Sequence, residues 1–349
     1  MTKQTWTAAV AATLFVALAA LIAMTPIPFV AWAPGGAHDV LASPDGKPVI
    51  KISGAQTYPV SGTLRLTTVS VTRVDSALSL PEALLSYWLP NRDVLPRDSI
   101  YAPGKSPGDV KNEEAQMMDT SKSDAIVAAL RAAKVPVREM PVVTAVSTAG
   151  PAMDKLKPGD LIDAVDHVTT QTSDEVGAAI RKHKVGDAVV FSVIRERRRI
   201  DVTVITESSN TNAGQPVVGI SIDVGYSYAP VVGLDLDPRI GGPSAGLVFA
   251  LGVYAKLTPG DLIAGRNIAG TGTISALGDV GAVGGLQEKI AGAQTTGATV
   301  FLVPAANCGD LAGVQTSMRI VRVETLRGAI SALETLSKSP SSGQVPTCG

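Results

Sequence analysis

An α+β chain of several domains is predicted by three features of the sequence: an uncharged apolar run at the N-terminus, β-like runs mixed with helical stretches through the middle, and a glycine-punctuated C-terminal third in which buried-type strands alternate with apolar helices. At 349 residues the chain exceeds one typical core. A formal net charge of -1 with 17% charged residues gives no basic face to displace counterions, so nucleic acid is not an expected partner. The single basic run, "RERRR" at 195–199, sits between two β-like runs and reads as a solvated hairpin.

Residues 1–34 form the first region. No charge follows Lys3 until after residue 33, and the apolar core from Ala8 to Met24 reaches the short end of a spanning helix. "AWA" at 31–33 resembles a signal-peptidase site, but Pro34 in the next position blocks cleavage, so an uncleaved transmembrane anchor is expected, with a removed signal as the alternative. Lys3 on the short side places the body of the protein outside the cytoplasm, at the cell membrane.

Residues 35–112 read as a small β-rich membrane-proximal region, from the alternation in "KPVIKISG" and "GTLRLTTVSVTRV"; the prolines of 81–111 preclude long elements. "GKS" at 104–106 ends like a phosphate loop, but Ser99 stands where such a loop needs glycine, so no nucleotide is expected. Residues 113–208 are expected to hold a helix, with Ile126 and Leu130 on its apolar stripe, then a strand "MPVVTAVS", a turn, a helix "SDEVGAAIRKHK" and paired strands. The polar connector "SSNTNAGQP" opens the α/β domain of 209–337, which begins with "PVVGISIDVG" read as a strand and includes a helix over 243–256. Residues 338–349 read as a flexible tail. Cys308 and Cys348 either bridge that tail back to the domain or are unrelated thiols.

The candidate chemistry starts at Ser244 in "PRIGGPSAGL", where small residues on both sides leave a hydroxyl uncovered; the serine either caps a helix or acts as a nucleophile. A nucleophilic serine needs a base. The three histidines, His38, His167 and His183, all fall outside the region expected to hold Ser244, and a Ser-His-Asp triad would need assembly across domains. No HExxH pair or cysteine cluster suggests a metal site, and no cofactor is expected. Lys289, in "GGLQEKIAGAQTTGA", lies in an alanine- and glycine-rich helix where desolvation lowers an amine toward neutrality; the alternative is a lysine snorkelling over a surface.

Two resemblances bear on these residues. "LKPGDLIDAVD" with the helix and hairpin after it resembles a PDZ domain, which implies that an extended peptide adds to a sheet edge near the helix of 173–183; the family's carboxylate-binding loop is not recognisable before "MPVVTAV". "GGPSAGL" and "AGTGTISALGDVGAVGGLQEKIAGAQTTGA" resemble the proteolytic domain of Lon-type proteases. That resemblance implies a Ser244–Lys289 dyad, with Thr271 near the lysine and Gly242 and Pro243 beside the oxyanion. The aspartate many such sequences carry two residues before the serine is absent, since Gly242 stands there.

The anchor, PDZ-like unit and C-terminal domain together resemble the PDZ-containing, Lon-like proteases of Gram-positive bacteria, which lack the ATPase module. What this implies is an ATP-independent serine endopeptidase that cleaves unfolded or exposed segments of extracytoplasmic polypeptides. Domains of this type often assemble into rings, so a homo-oligomer is also implied. The alternative reading is a catalytically silent binding or chaperone module on the same fold.

Overall fold

The computed structural model describes residues 2–339 and 343–348. It divides into two compact units: residues up to Lys134 together with those from Pro230 onward, and Val135–Ala229 between them in sequence.

The larger unit is built on a six-stranded sheet. Its strands are β1 (Phe29–Asp39), β2 (Thr63–Val71), β3 (Asp93–Pro96), β4 (Asn267–Gly270), β5 (Val300–Pro304) and β6 (Arg319–Val323), in the order β6–β5–β4–β2–β1–β3. From β6 to β2 neighbours run parallel, whereas β1 is antiparallel to both β2 and β3. Besides the short helix Arg97–Ile100, the longer helices that accompany it are α1 (Lys3–Met24), α2 (Leu80–Trp88), α3 (Pro107–Ala132), α4 (Gly246–Leu257), α5 (Leu286–Gln294) and α6 (Leu326–Lys338).

Strand alternation sorts the helices onto two faces. Leu64, Leu66, Ile268, Leu302 and Val321 point to a core shared with α3, α4 and α6. Their neighbours Ala269, Phe301 and Val303 point the other way and pack against Leu286, Ile290 and Ala293 of α5. Helix α4 is apolar all round, from Leu247 to Val253, because it lies between the sheet and the other two helices. Helix α3 is capped at Ser106 by a box with Asp109 and carries Pro107 in its first turn; its C-terminal half, Ala125–Leu130, is buried.

The structure redraws the expected boundaries. Residues 35–112 are not a separate β-rich region, since β2 is a central strand of the main sheet and Ile50–Ser53 pairs with Val231–Leu234. Helix α3 belongs to the larger unit rather than to the small one. His38 also lies in this unit, on β1. The described part of the tail is held in place: Val345 is buried in the core, Arg322 donates its backbone N–H to the Pro346 carbonyl, and Cys348 is bonded to Cys308 with Cα atoms 5.2 Å apart.

The smaller unit is an antiparallel sheet in the order Arg198–Ile205, Ala188–Arg195, Leu161–Val165, Val137–Val146, Ile220–Tyr228. Helix Ser173–Arg181 closes its core with Val176 and Ile180 against Val143, Ile162 and Phe191. "RERRR" is the hairpin turn between two of these strands, with Glu196 and Arg197 at positive φ. Strand Ile220–Tyr228, expected in the C-terminal domain, is instead an edge of this sheet, paired with Val137–Val146 with a register shift between Ser221 and Ile222.

Candidate active site

Ser244 is placed by the turn into α4. Gly242 at φ +83 reverses the chain where a side chain would strain it, and Pro243–Ala245 form a short 3-10 turn that runs into the helix at Gly246. Two hydroxyls hold this turn by its carbonyls: Ser121 of α3 donates to the carbonyl of Pro243 at 2.9 Å, and Thr271 donates to that of Ser244 at 3.2 Å. The backbone N–H of Gly272 also donates to the Ser244 carbonyl, at 2.9 Å. The side chain of Ser244 is thus left half-buried and open to one side, while its backbone is fixed.

Lys289 comes from the opposite face of the sheet. Gly285, at φ +67, starts α5 in the left-handed region, and a Cβ there would meet Val69 Cγ1 at 2.5 Å and the ring of Trp32. The missing side chain lets the helix lie close against β1 and β2, which buries Lys289 to 3% exposure.

The two side chains meet where the parallel sheet opens. Pairing of β2 with β4 stops at Leu66 and Gly270. Just beyond, Thr67, Thr68 and Val69 line a cavity of about 160 Å³ whose other walls are Arg239, Ile240, Gly241, Ser244, Ala245 and Lys289. A crevice at the carboxyl ends of parallel strands, where the strand order changes direction, is the usual ligand position of α/β sheets. Through Val69, Arg239 and Gly241 it continues into a groove of about 590 Å³ that runs past Val71, Tyr101 and Glu114.

Burial shifts the amine toward its neutral form. Burial holds Lys289 well below its ordinary 10.5, at about 8, with the negative charge of Glu288 acting the other way. Glu288 is itself 1% exposed, and neither carboxyl oxygen has a hydrogen-bond partner among the described residues. Burial pushes its carboxyl up, and the charge of Asp93 on β3 adds to the rise. At the cavity mouth Arg239 pairs with Asp237 at 2.6 Å and holds that carboxylate down, at about 2.

Some expected roles are corrected. Pro243 has no N–H, so of the pair Gly242 and Pro243 only Gly242 can donate to an oxyanion, with the N–H of Ser244 beside it. Thr271, fully buried, donates its hydroxyl to the Ser244 carbonyl. Gly246 lies against Ile274 and Ser121: a Cβ there would be 2.8 Å from both Ile274 Cγ2 and Ser121 Oγ. The histidines do not line the cavity. Among the described residues, no group of three or more histidine, cysteine and acidic side chains is placed to hold a metal ion. Sequence reasoning missed Thr67–Val69, Ser121, Arg239 and Glu288, the first two because they come from segments more than 100 residues before Ser244.

The smaller unit has a groove of its own. A cavity of about 520 Å³ lies between helix Ser173–Arg181, contributing Gly177, Ile180 and Arg181, and the stretch Gln215–Ile222 that leads into the edge strand. The segment "PVVGI" at 216–220, with Gly219 at φ +74, lines this cavity. It reaches the sheet from the C-terminal side of the unit.

Comparison with known proteins finds two family matches, one of which begins within α3 and ends before the edge strand Ile220–Tyr228. Residues 238–333 match the Lon protease (S16) C-terminal proteolytic domain, and residues 116–206 match the PDZ domain. The C-terminal region is 42% identical over 98 residues to Lon protease 2 of Herpetosiphon aurantiacus, covering 28% of this chain and 11% of that one. It is 34% identical over 110 residues to Lon protease 1 of Myxococcus xanthus, covering 30% of this chain and 13% of that one. The chain therefore spans only about an eighth of the length of such relatives. The PDZ domain of an SdrC-like protein from Listeria monocytogenes is 27% identical, covering 24% of this chain and 86% of its own, with a TM-score of 0.22. The chain carries a PDZ domain and, in its larger unit, the proteolytic domain of the Lon (S16) serine peptidases.

Proposed function

We propose that the protein is an ATP-independent serine endopeptidase in which Ser244 is the nucleophile and Lys289 the general base. The observation that carries this reading is that a half-open serine and a buried, pKa-depressed lysine line one cavity. Lys289 takes the Ser244 hydroxyl proton as Oγ attacks the scissile carbonyl, then returns it to the leaving amine, and water hydrolyses the acyl-enzyme. The developing oxyanion is held by the N–H groups of Gly242 and Ser244 at the start of the α4 turn. No hydrogen bond joins Oγ to Nζ among the described residues, and substrate entry draws the pair together.

The groove from Thr67 past Val71 admits an extended chain rather than a folded surface, which fits unfolded or exposed segments as substrates. The edge position of strand Ile220–Tyr228 leaves room for an extended peptide to add beside helix Ser173–Arg181, so the smaller unit selects the segment to be cut. Helix α1 has 22 residues, a mean hydropathy of 2.3 and no buried residue, which suits a bilayer anchor with the catalytic unit outside the cytoplasm.

A fluorophosphonate probe tests the dyad. It should label Ser244 in the native chain and fail on Ser244→Ala and on a folded Lys289→Met. Equal cleavage of an unfolded substrate by wild type and Ser244→Ala would leave the silent binding module as the correct reading.

A further inference from the structure

Helix α2 is built unlike the rest of the larger unit. Over Leu80–Trp88 it buries only Ala83 and Ser86. Its large side chains face outward: Leu84, Leu85, Tyr87 and Trp88 are 43%, 57%, 74% and 75% exposed. The only charge on the helix is Glu82, spent on capping at Ser79. An apolar face of this kind is unusual in water and marks a surface that something covers.

The chain places this face beside the end of α1. Two residues beyond Met24, Pro26 pairs with Ser79 and Ile27 with Leu78, and Ser79 is the cap of α2. The cap of α2 is therefore about one strand spacing, roughly 5 Å, from Pro26, two residues past the end of α1. A helix of 22 residues is roughly 33 Å long, close to the thickness of the hydrocarbon core, so its end marks the depth of the headgroup layer. Tyr and Trp prefer that layer, with the ring in the apolar boundary and the polar edge in water.

We propose that α2 lies in the headgroup layer of the bilayer and is covered by lipid, so that the proteolytic unit is held to the membrane at two points. The proposal rests on the reading of α1 as an anchor. Its consequence for the enzyme is orientation: β3, the edge strand that carries Asp93 toward Glu288, begins five residues after Trp88, so a fixed α2 fixes that edge of the active-site sheet near the membrane surface.

The test uses the full chain with Trp6→Phe in phosphatidylcholine vesicles, which leaves Trp32 and Trp88 as emitters. Lipid brominated near the headgroup should quench roughly half of the emission, since one of the two rings lies at that depth. Acrylamide in the water should barely reach Trp88, and the Trp6→Phe/Trp88→Phe variant should lose the lipid quenching. Protein that washes off the vesicles in alkaline carbonate would overturn the anchor reading and this proposal with it. Protein that stays on the vesicles with Trp88 quenched by acrylamide and not by bromolipid would overturn this proposal alone. Trp88 shielded from both quenchers, in a detergent-soluble multimer that Leu85→Glu breaks, would overturn it in favour of a contact between copies.

Discussion

Lys289→Met provides the sharpest test of the site, because the structure assigns the amine both a benefit and a cost. At about 8 instead of its ordinary 10.5, the amine is neutral in roughly a tenth of molecules at pH 7, against roughly one in three thousand unperturbed. Wild-type kcat/KM on an unfolded substrate should therefore rise with pH and reach half its plateau near 8. The cost comes from the same burial. An unfolded chain keeps the proton up to 10.5, while the folded one gives it up near 8. Between those values the unfolded state binds more protons, so stability increases with pH; below about 8 the full penalty applies. At about 1.4 kcal/mol per pH unit, that penalty is about 3 kcal/mol. Methionine fills similar space with no charge, so the variant should lose acyl-enzyme formation and yet unfold at higher urea than wild type at pH 7. The gap should close as pH approaches 10. Urea titrations at pH 7 and 10, beside the activity profile, read both effects. A variant no more stable than wild type at pH 7, or an activity limb above pH 9, would show that Lys289 is not the desolvated base.

Glu288→Gln should raise the thermal midpoint at pH 7–8 and leave it unchanged near pH 4, where the glutamate holds its proton in both states. The folded carboxyl keeps its proton past the ordinary 4.5, so wild-type stability declines as pH rises through the raised value. A lower midpoint at pH 8 would refute this. Replacing Cys308 and Cys348 together by serine opens a link across 40 residues and should cost about 4 kcal/mol by chain entropy, read as a lower denaturant midpoint that reductant does not lower further. Gly246→Ala should cost about 1–3 kcal/mol of stability because its Cβ overlaps Ile274 and Ser121. It should also lower kcat/KM by about a hundredfold through a shift of Ser244, two residues away. Activity equal to wild type would mean that the turn tolerates the methyl group.

What could be read from the sequence were features carried by short stretches. The α4 helix after "GGPSAGL", the strand "ATVFLVPA", the hairpin around "RERRR" and the candidacy of Ser244 and Lys289 all rest on residues within a dozen positions of one another. What was missed depends on pairing at a distance. "LRLTTVSV" announces a strand but not that Thr63–Leu66 runs parallel to Asn267–Gly270, and so Thr67–Val69 could not be placed against the serine. The polar connector at 208–216 looked like a domain boundary because composition marks loops. It joins two strands of one unit, as the pairing of Ile220–Tyr228 with Val137–Val146 makes plain. Glu288 gave no local signal, since Asp93, whose charge adds to the rise of its carboxyl, lies almost 200 residues earlier.

That last strand also explains how one sheet can be assembled from segments on both sides of an intervening domain. Strands β1–β3 precede the smaller unit and β4–β6 follow it, so the parallel pairing of β2 with β4 closes a loop of about 200 residues. A disordered loop of that length would slow the pairing considerably. Within the smaller unit, however, Val137 lies directly across from Tyr228, so the chain enters and leaves by adjacent strand ends about 5 Å apart. Once that unit has folded, the larger one is joined through it as if by a short turn. Had the strand at the groove stood first in the smaller unit instead of last, entry and exit would fall at different places on its sheet. The late position of Ile220–Tyr228, which hid the smaller unit's groove from sequence reasoning, is thus the same feature that lets Thr67–Val69 reach Ser244 and Lys289.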